Sequence, residues 1–263
     1  MLIRTLSALV LVPILLGFTY LGGPFTAFLV AIISFLALKE SLAIGQKMSI
    51  KTWTFSTGLF TLTWLLLIFQ EATEWMLPVL ILWLLFSLGK MALRYPVIQF
   101  SELGYNFFAP LYTVVLFSHL YLIRGLERGV TWALLTFILV WATDTFAYLI
   151  GRAVGRHLLA PQVSPKKTLE GSAGGLFFCV LSGLVAWKVI GGAPWTSFLV
   201  LSLLVGVSAQ IGDLFESALK RSVNIKDSGN LIPGHGGILD RFDSLLFVIP
   251  IVYYWTVLQR MVG

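Results

Sequence analysis

Apolar residues in this chain are gathered into blocks of about 17–22 residues, close to the ~20 helical residues that cross ~30 Å of hydrocarbon at 1.5 Å per residue. That recurring length limits the fold more than any motif does. Composition agrees with it: 58% of the 263 residues are hydrophobic and 11% are charged, against roughly 45–50% and 25% in soluble domains. A water-soluble fold of this size has no means of hiding so much apolar surface, so lipid is the solvent for most of the chain.

The blocks predict an all-α, polytopic membrane protein with nine spans at 6–21, 24–44, 53–69, 75–93, 105–123, 130–150, 172–190, 195–215 and 244–262. The fourth is the least regular, with Pro78 near its start and Lys90 near its end. Arg4 ahead of an apolar run resembles a signal peptide, but no small-residue cleavage site follows and the next block begins at once, so this run is read as the first span. Breaks at Gly22-Gly23-Pro24, at Gly125 and at Gly191-Gly192-Ala193-Pro194 suit tight turns. The one cysteine, Cys179, lies inside an apolar block, which excludes disulfides and paired-cysteine metal sites.

Of the 18 Lys and Arg, all but Arg124, Arg128, Lys188 and Arg260 fall on the side of the N-terminus. The positive-inside rule then predicts a cytoplasmic N-terminus. The net charge of +6 is thereby a topology signal, and no nucleic acid partner is expected. Lys39, Glu40 and Lys90 lie near cytoplasmic span ends and read as interfacial anchors. The chain divides into a scaffold region with a dimerisation role, residues 1–128, and a catalytic region, residues 129–263.

Four polar constellations converge on the cytoplasmic side. Asp144 sits within the sixth span, roughly 9 Å from its end, where an ionised carboxylate costs about 2.5–3.5 kcal/mol; it needs a compensating partner or a protonated form bonded through Thr143 or Thr145. Ser164-Pro165-Lys166-Lys167-Thr168-Leu169-Glu170-Gly171 offers two cations for phosphate ahead of a helix that Thr168 or Glu170 could cap. Asp213, Glu216 and Lys220 fall on one helical stripe, with a Glu216–Lys220 salt bridge as the plain alternative for that pair. The last runs from Lys226 to Asp243. Its glycines Gly234, Gly236 and Gly237 around His235 free backbone amides to face an anion, and Asp240 and Asp243 point to one side of the final helix. Carboxylates gathered in this way repel one another unless a cation sits among them, and hard oxygen ligands suit Mg²⁺. Lysines and amides for phosphates, with carboxylates for Mg²⁺, are the parts of phosphoryl or nucleotidyl transfer. No Ser-His-Asp order, HExxH or GxxxxGK[ST] is present.

The run Ser-x-Leu-Lys-Arg-x4-Lys-Asp-x-Gly-x2-Ile-Pro-x-His-Gly-Gly-Ile-x-Asp-Arg-Phe-Asp from Ser217 to Asp243 closely resembles the signature of the phosphatidate cytidylyltransferases, or CDP-diacylglycerol synthases. The runs at 144–148 and 164–171 resemble other segments of that family, in the same order, while the N-terminal half matches in hydropathy and length only. The resemblance implies attack by the phosphate of phosphatidic acid on the α-phosphorus of CTP, giving CDP-diacylglycerol and pyrophosphate. It also implies Mg²⁺ dependence, with room for a monovalent cation such as K⁺, and a homodimer in the bacterial plasma membrane with its site on the cytoplasmic side. Carried onto matching positions, Asp213, Asp240, Asp243 and Glu216 are the implied metal ligands. Asp144 and Lys167 join Asp213 and Asp240 as catalytic candidates. Lys166, Lys167, Lys220, Arg221, Lys226, Gly234, His235, Gly236, Gly237 and Arg241 are candidates for binding CTP or the lipid phosphate.

The nearest alternative is a CTP-dependent lipid kinase, which would release CDP instead of pyrophosphate. A cation-coupled transporter using Asp144, Asp213 and Asp240 is a second, but neither paired half-sequences nor midplane charges support it. A CDP-alcohol phosphotransferase would need a DGxxARx8GxxxDxxxD run, which is absent.

Overall fold

Helix is the only regular structure that satisfies its own backbone in lipid without a partner segment, and helices account for most of this chain. The computed structural model describes residues 2–262 apart from Pro233 and His235, so the predicted site residue His235 lies outside the described residues. Among them, seven helical segments are long and apolar enough to cross a membrane: Gly23–Lys47, Thr73–Arg94, Phe100–Gly125, Gly129–Val154, Leu169–Ile190, Trp195–Arg221 and Leu239–Gln259. They answer to seven of the nine expected spans. The other two coincide with the shorter apolar helices Leu9–Leu21 and Thr54–Phe69.

The chain forms two compact units, Met1–Gly125 with Asp227–Asp240, and Leu126–Lys226 with Arg241–Gly263. The first holds helices α1 (Leu2–Leu21), α2 (Gly23–Lys47), α3 (Thr54–Phe69), α4 (Met76–Arg94), α5 (Phe100–Pro110) and α6 (Leu116–Gly125). Pro78 is accommodated in the first turn of α4, where a missing N–H leaves no bond unmade. Lys90 lies 3.9 Å from the centroid of the Trp53 ring, a cation–π contact rather than a bare interfacial charge. Pro110 deprives α5 of a ladder donor, and the backbone widens into a π turn over Leu111–Val115 before α6 resumes.

Two polar side chains in this unit tie its helices together. Asn106 accepts from the Trp53 amide at 2.6 Å and donates to the Lys51 and Glu102 carbonyls at 3.0 and 2.7 Å. Tyr105 donates to the Ser41 carbonyl at 2.6 Å, and its ring occupies the space where Gly45 has no side chain.

The second unit contains α7 (Gly129–Val154), a two-stranded antiparallel hairpin of β1 (Leu158–Ala160) and β2 (Ser164–Thr168), α8 (Leu169–Ile190), α9 (Trp195–Arg221) and the body of α10 (Leu239–Val262). Small residues set the helix spacing. A Cβ on Gly171 would lie 2.6 Å from the Ala147 carbonyl oxygen, and one on Gly175 would lie 2.7 Å from that of Thr143, so α8 rests directly on the α7 backbone. Gly183 leaves the space filled by Ser202, and Gly206 brings α9 against Leu176 and Cys179. A Cβ on Gly212 would stand 2.6 Å from the Asp243 carbonyl, which draws α10 onto α9 beside Asp213.

Gly175→Leu is therefore expected to destabilise the chain by about 1–3 kcal/mol through overpacking and to broaden its size-exclusion profile in detergent. Gly58→Ala, whose added Cβ meets nothing within 4 Å, should leave that profile unchanged.

Candidate active site

The hairpin between α7 and α8 carries the Ser-Pro-Lys-Lys-Thr run as a paired strand, with Leu158 opposite Thr168 and Ala160 opposite Ser164. The strand pairing was not expected from the sequence. Thr168 is the N-cap of α8, its hydroxyl accepting from the Gly171 amide at 3.1 Å. Glu170 does not cap. It turns back to accept from the Arg156 and His157 amides at 3.1 and 3.2 Å, and lies 2.6 Å from His157 Nδ1, securing the entry to the hairpin.

Behind the hairpin lies a cavity of about 630 Å³, within the range of small-molecule sites. Arg152, Lys166 and Lys167 supply cations to its wall, and Asp144 and Asp213 supply carboxylates. Asp144, expected to need compensation deep in a span, opens into this cavity instead of into lipid, and its Oδ1 accepts from Ser244 on α10 at 3.4 Å. Thr143, proposed as its partner, donates back to the Leu139 carbonyl at 2.7 Å. Lys167 Nζ lies 2.5 Å from Asp213 Oδ2. With side chains 27% and 33% exposed, this pair is open enough to exchange partners with an incoming ion.

One turn beyond Asp213, Glu216 is fully buried and pairs with Lys220, so the predicted helical stripe is realised as a salt bridge. Removing either partner would strand a buried charge, at about 3–5 kcal/mol. Asp243 is within electrostatic range of Asp213, Glu216 and Asp144, and its Oδ1 accepts from the Ser244 amide at 2.7 Å. Four helix-borne carboxylates thus gather in the second unit. Arg221 is spent on structure, donating to the Val163 carbonyl at 3.3 Å and the Ile225 carbonyl at 2.8 Å. Lys226 and Arg241 are exposed.

The remaining predicted residues belong to the first unit. Asp240 Oδ2 accepts from the Ser228 amide at 2.8 Å, the Ser228 hydroxyl at 2.9 Å and the Gly237 amide at 2.7 Å. Gly236 adopts φ +81°, and a Cβ there would lie 2.5 Å from Asp240 Oδ2; Gly234 also has a positive φ, +72°. The sequence predicts glycine amides facing a bound anion; the Gly237 amide donates to the chain's own Asp240.

The chain that carries these cations beside carboxylates is similar to proteins of one family. The model of the cytidylyltransferase family matches residues 2–258. The chain belongs to the cytidylyltransferase family. Among its relatives, the phosphatidate cytidylyltransferase of Bacillus subtilis is 42% identical over 157 residues, 59% of this chain and 58% of the relative. Those of Staphylococcus saprophyticus and Staphylococcus epidermidis are 34% and 35% identical over 259 residues, 95% of this chain and 96% of theirs.

For a cytidylyltransferase the site has the right donors. Among the described residues no group of three or more His, Cys, Asp or Glu is arranged to enclose a metal by itself. One or two carboxylates completed by phosphate oxygens and water is the usual way of holding Mg²⁺, and the carboxylate of Asp213, which lines the cavity, has that chemistry. Sequence reasoning missed Arg152, counted there only as a topology charge, and Ser244, which carries no motif of its own. It also misplaced Glu40. Expected as an interfacial anchor, Glu40 is buried in the first unit and accepts from the Ile238 and Leu239 amides, both at 2.9 Å.

Thr168→Ala should cost this cytidylyltransferase about 1 kcal/mol by uncapping α8. Amide exchange at residues 169–171 should rise while α9 is unaffected.

Proposed function

We propose that this chain joins CTP to phosphatidic acid, forming CDP-diacylglycerol and releasing pyrophosphate, as a step of phospholipid synthesis. The observation that carries the reading is the cavity of the second unit, where Arg152, Lys166 and Lys167 stand beside Asp144 and Asp213 in a chain matched to the cytidylyltransferase family over residues 2–258.

The reaction forms a bond from a phosphate oxygen of phosphatidic acid to the α-phosphorus of CTP. It breaks the bond from that phosphorus to the oxygen bridging to the β-phosphate, and pyrophosphate leaves with the electron pair. Two polyanions must approach each other, so the protein's task is positioning and charge neutralisation. Lys167 suits this task because its present partner, Asp213, is one it can exchange for a phosphate oxygen. Lys166 and Arg152 extend the same wall and would hold the remaining negative charge. Lys220 and Arg221 act further back, Lys220 through Glu216 and Arg221 through the Val163 and Ile225 carbonyls. His235, Lys226, Gly234 and Arg241 are assigned to substrate from the family resemblance.

A divalent ion, Mg²⁺, belongs to this reading, with K⁺ as the candidate monovalent companion. Asp213, Asp243 and Glu216 are its proposed ligands in the second unit, and Asp240 is assigned to it from the family resemblance. When bound, it would screen the phosphates from one another. The orientation assigned from the basic residues places the site at the cytoplasmic face of the plasma membrane, where CTP is available from water and phosphatidic acid from the leaflet. A homodimer is part of the same proposal, with residues 1–128 as scaffold and 129–263 as the catalytic region.

Purified protein given labelled CTP and phosphatidic acid with Mg²⁺ should yield CDP-diacylglycerol and pyrophosphate, and EDTA should stop turnover. Release of CDP with a phosphorylated lipid would mark a kinase instead. Asp213→Asn should lower turnover by at least about 100-fold while the protein still inserts into membranes and elutes as the parent does. Full activity in that variant would remove Asp213 from the site.

A further inference from the structure

Helix α2 carries a single acidic residue, Glu40, and it is only 9% exposed. A carboxylate in that setting needs hydrogen-bond donors, and among the described residues they come from the far end of the sequence, residues 228–239. Its Oε1 accepts from the Ile238 amide and its Oε2 from the Leu239 amide, both at 2.9 Å, which serves orphan donors at the start of α10. Its Oε2 also lies 3.0 Å from the Ser228 hydroxyl. That hydroxyl stands 2.9 Å from Asp240 Oδ2, so its one proton lies between the two carboxylates.

The glycines of the signature run fit this arrangement. A Cβ on Gly229 would come within 2.6 Å of Glu40 Oε1, and one on Gly237 would collide with both Glu40 and Ser228. The emptiness at these positions is filled by Glu40.

From this geometry we propose that Glu40 is a positioning residue. It clamps the segment from Ser228 to Leu239 by the two amides and the serine hydroxyl, and thereby fixes the carboxylate of Asp240. The catalytic part rests on the role given to Asp240 under Proposed function; the clamp itself does not. Glu40 touches neither substrate nor metal in this assignment and acts through the loop.

The test compares Glu40→Gln, Glu40→Asp and Ser228→Ala with the parent, using full-length protein in detergent or nanodiscs. A carboxamide has one oxygen and serves only one of the two amides, whereas aspartate keeps two acceptors on a shorter arm. Amide exchange in peptides covering 228–239 should accelerate about tenfold in Glu40→Gln, with the other helices unchanged. With CTP and phosphatidic acid, its kcat should fall by about tenfold or more while both KM values stay within about threefold. Glu40→Asp should recover part of both losses. If Glu40→Gln does not yield monodisperse protein, Ser228→Ala, which keeps both amide bonds, should show the same pattern at smaller size.

Unchanged exchange in 228–239 overturns the clamp whatever the activity. Faster exchange with kcat within about twofold of the parent overturns the positioning role. A parent that forms no CDP-diacylglycerol overturns the proposed function and the positioning role with it, while exchange still decides the clamp.

Discussion

A carboxylate carried on a membrane-spanning helix has no bulk water around it, so it must be met by the protein or by a cavity, and this fold is organised around that demand. Helices can supply such partners only if they approach closely, and close approach is bought here with small residues. Gly171 and Gly175 set α8 on the backbone of α7, and Gly206 and Gly212 bring α9 against α8 and α10. The carboxylates of Asp144, Asp213 and Asp243 come into range of one another because their helices are spaced by glycine rather than by leucine.

The site exploits the same closeness. Three carboxylates and a buried Glu216–Lys220 pair would be an unstable collection in a sealed apolar core. They are tolerable because the hairpin after α7 stands over a cavity and brings lysines to its wall. Lys167 illustrates the balance. Its amine neutralises Asp213 in a half-exposed contact, strong enough to order both side chains and open enough to yield to a phosphate.

In the first unit the signature run plays a second part. Its glycines read as a cradle for a substrate anion, yet the anions held at Gly237, Ile238 and Leu239 are the side chains of Asp240 and Glu40. A loop built on backbone amides is rigid only when something negative faces those amides. Here the protein provides the charge itself, from α2 and from the first turn of α10.

The spacing of apolar blocks determined the all-α membrane architecture, because hydrocarbon thickness converts directly into helix length. The fixed order of Asp144, the Lys166–Lys167 pair, Asp213 and the Ser217–Asp243 run determined the family, because side-chain chemistry at fixed spacing survives without coordinates. Tertiary structure alone decided that Lys166 and Lys167 ride on a β strand and that Ser244 is the partner of Asp144. It alone turned Glu40 from a charge at a span end into the acceptor for residues almost 200 positions away. Pairings of that kind leave no local trace: periodicity and propensity describe neighbours along the chain, while a buried carboxylate is satisfied by whatever donors the packing of distant segments happens to present.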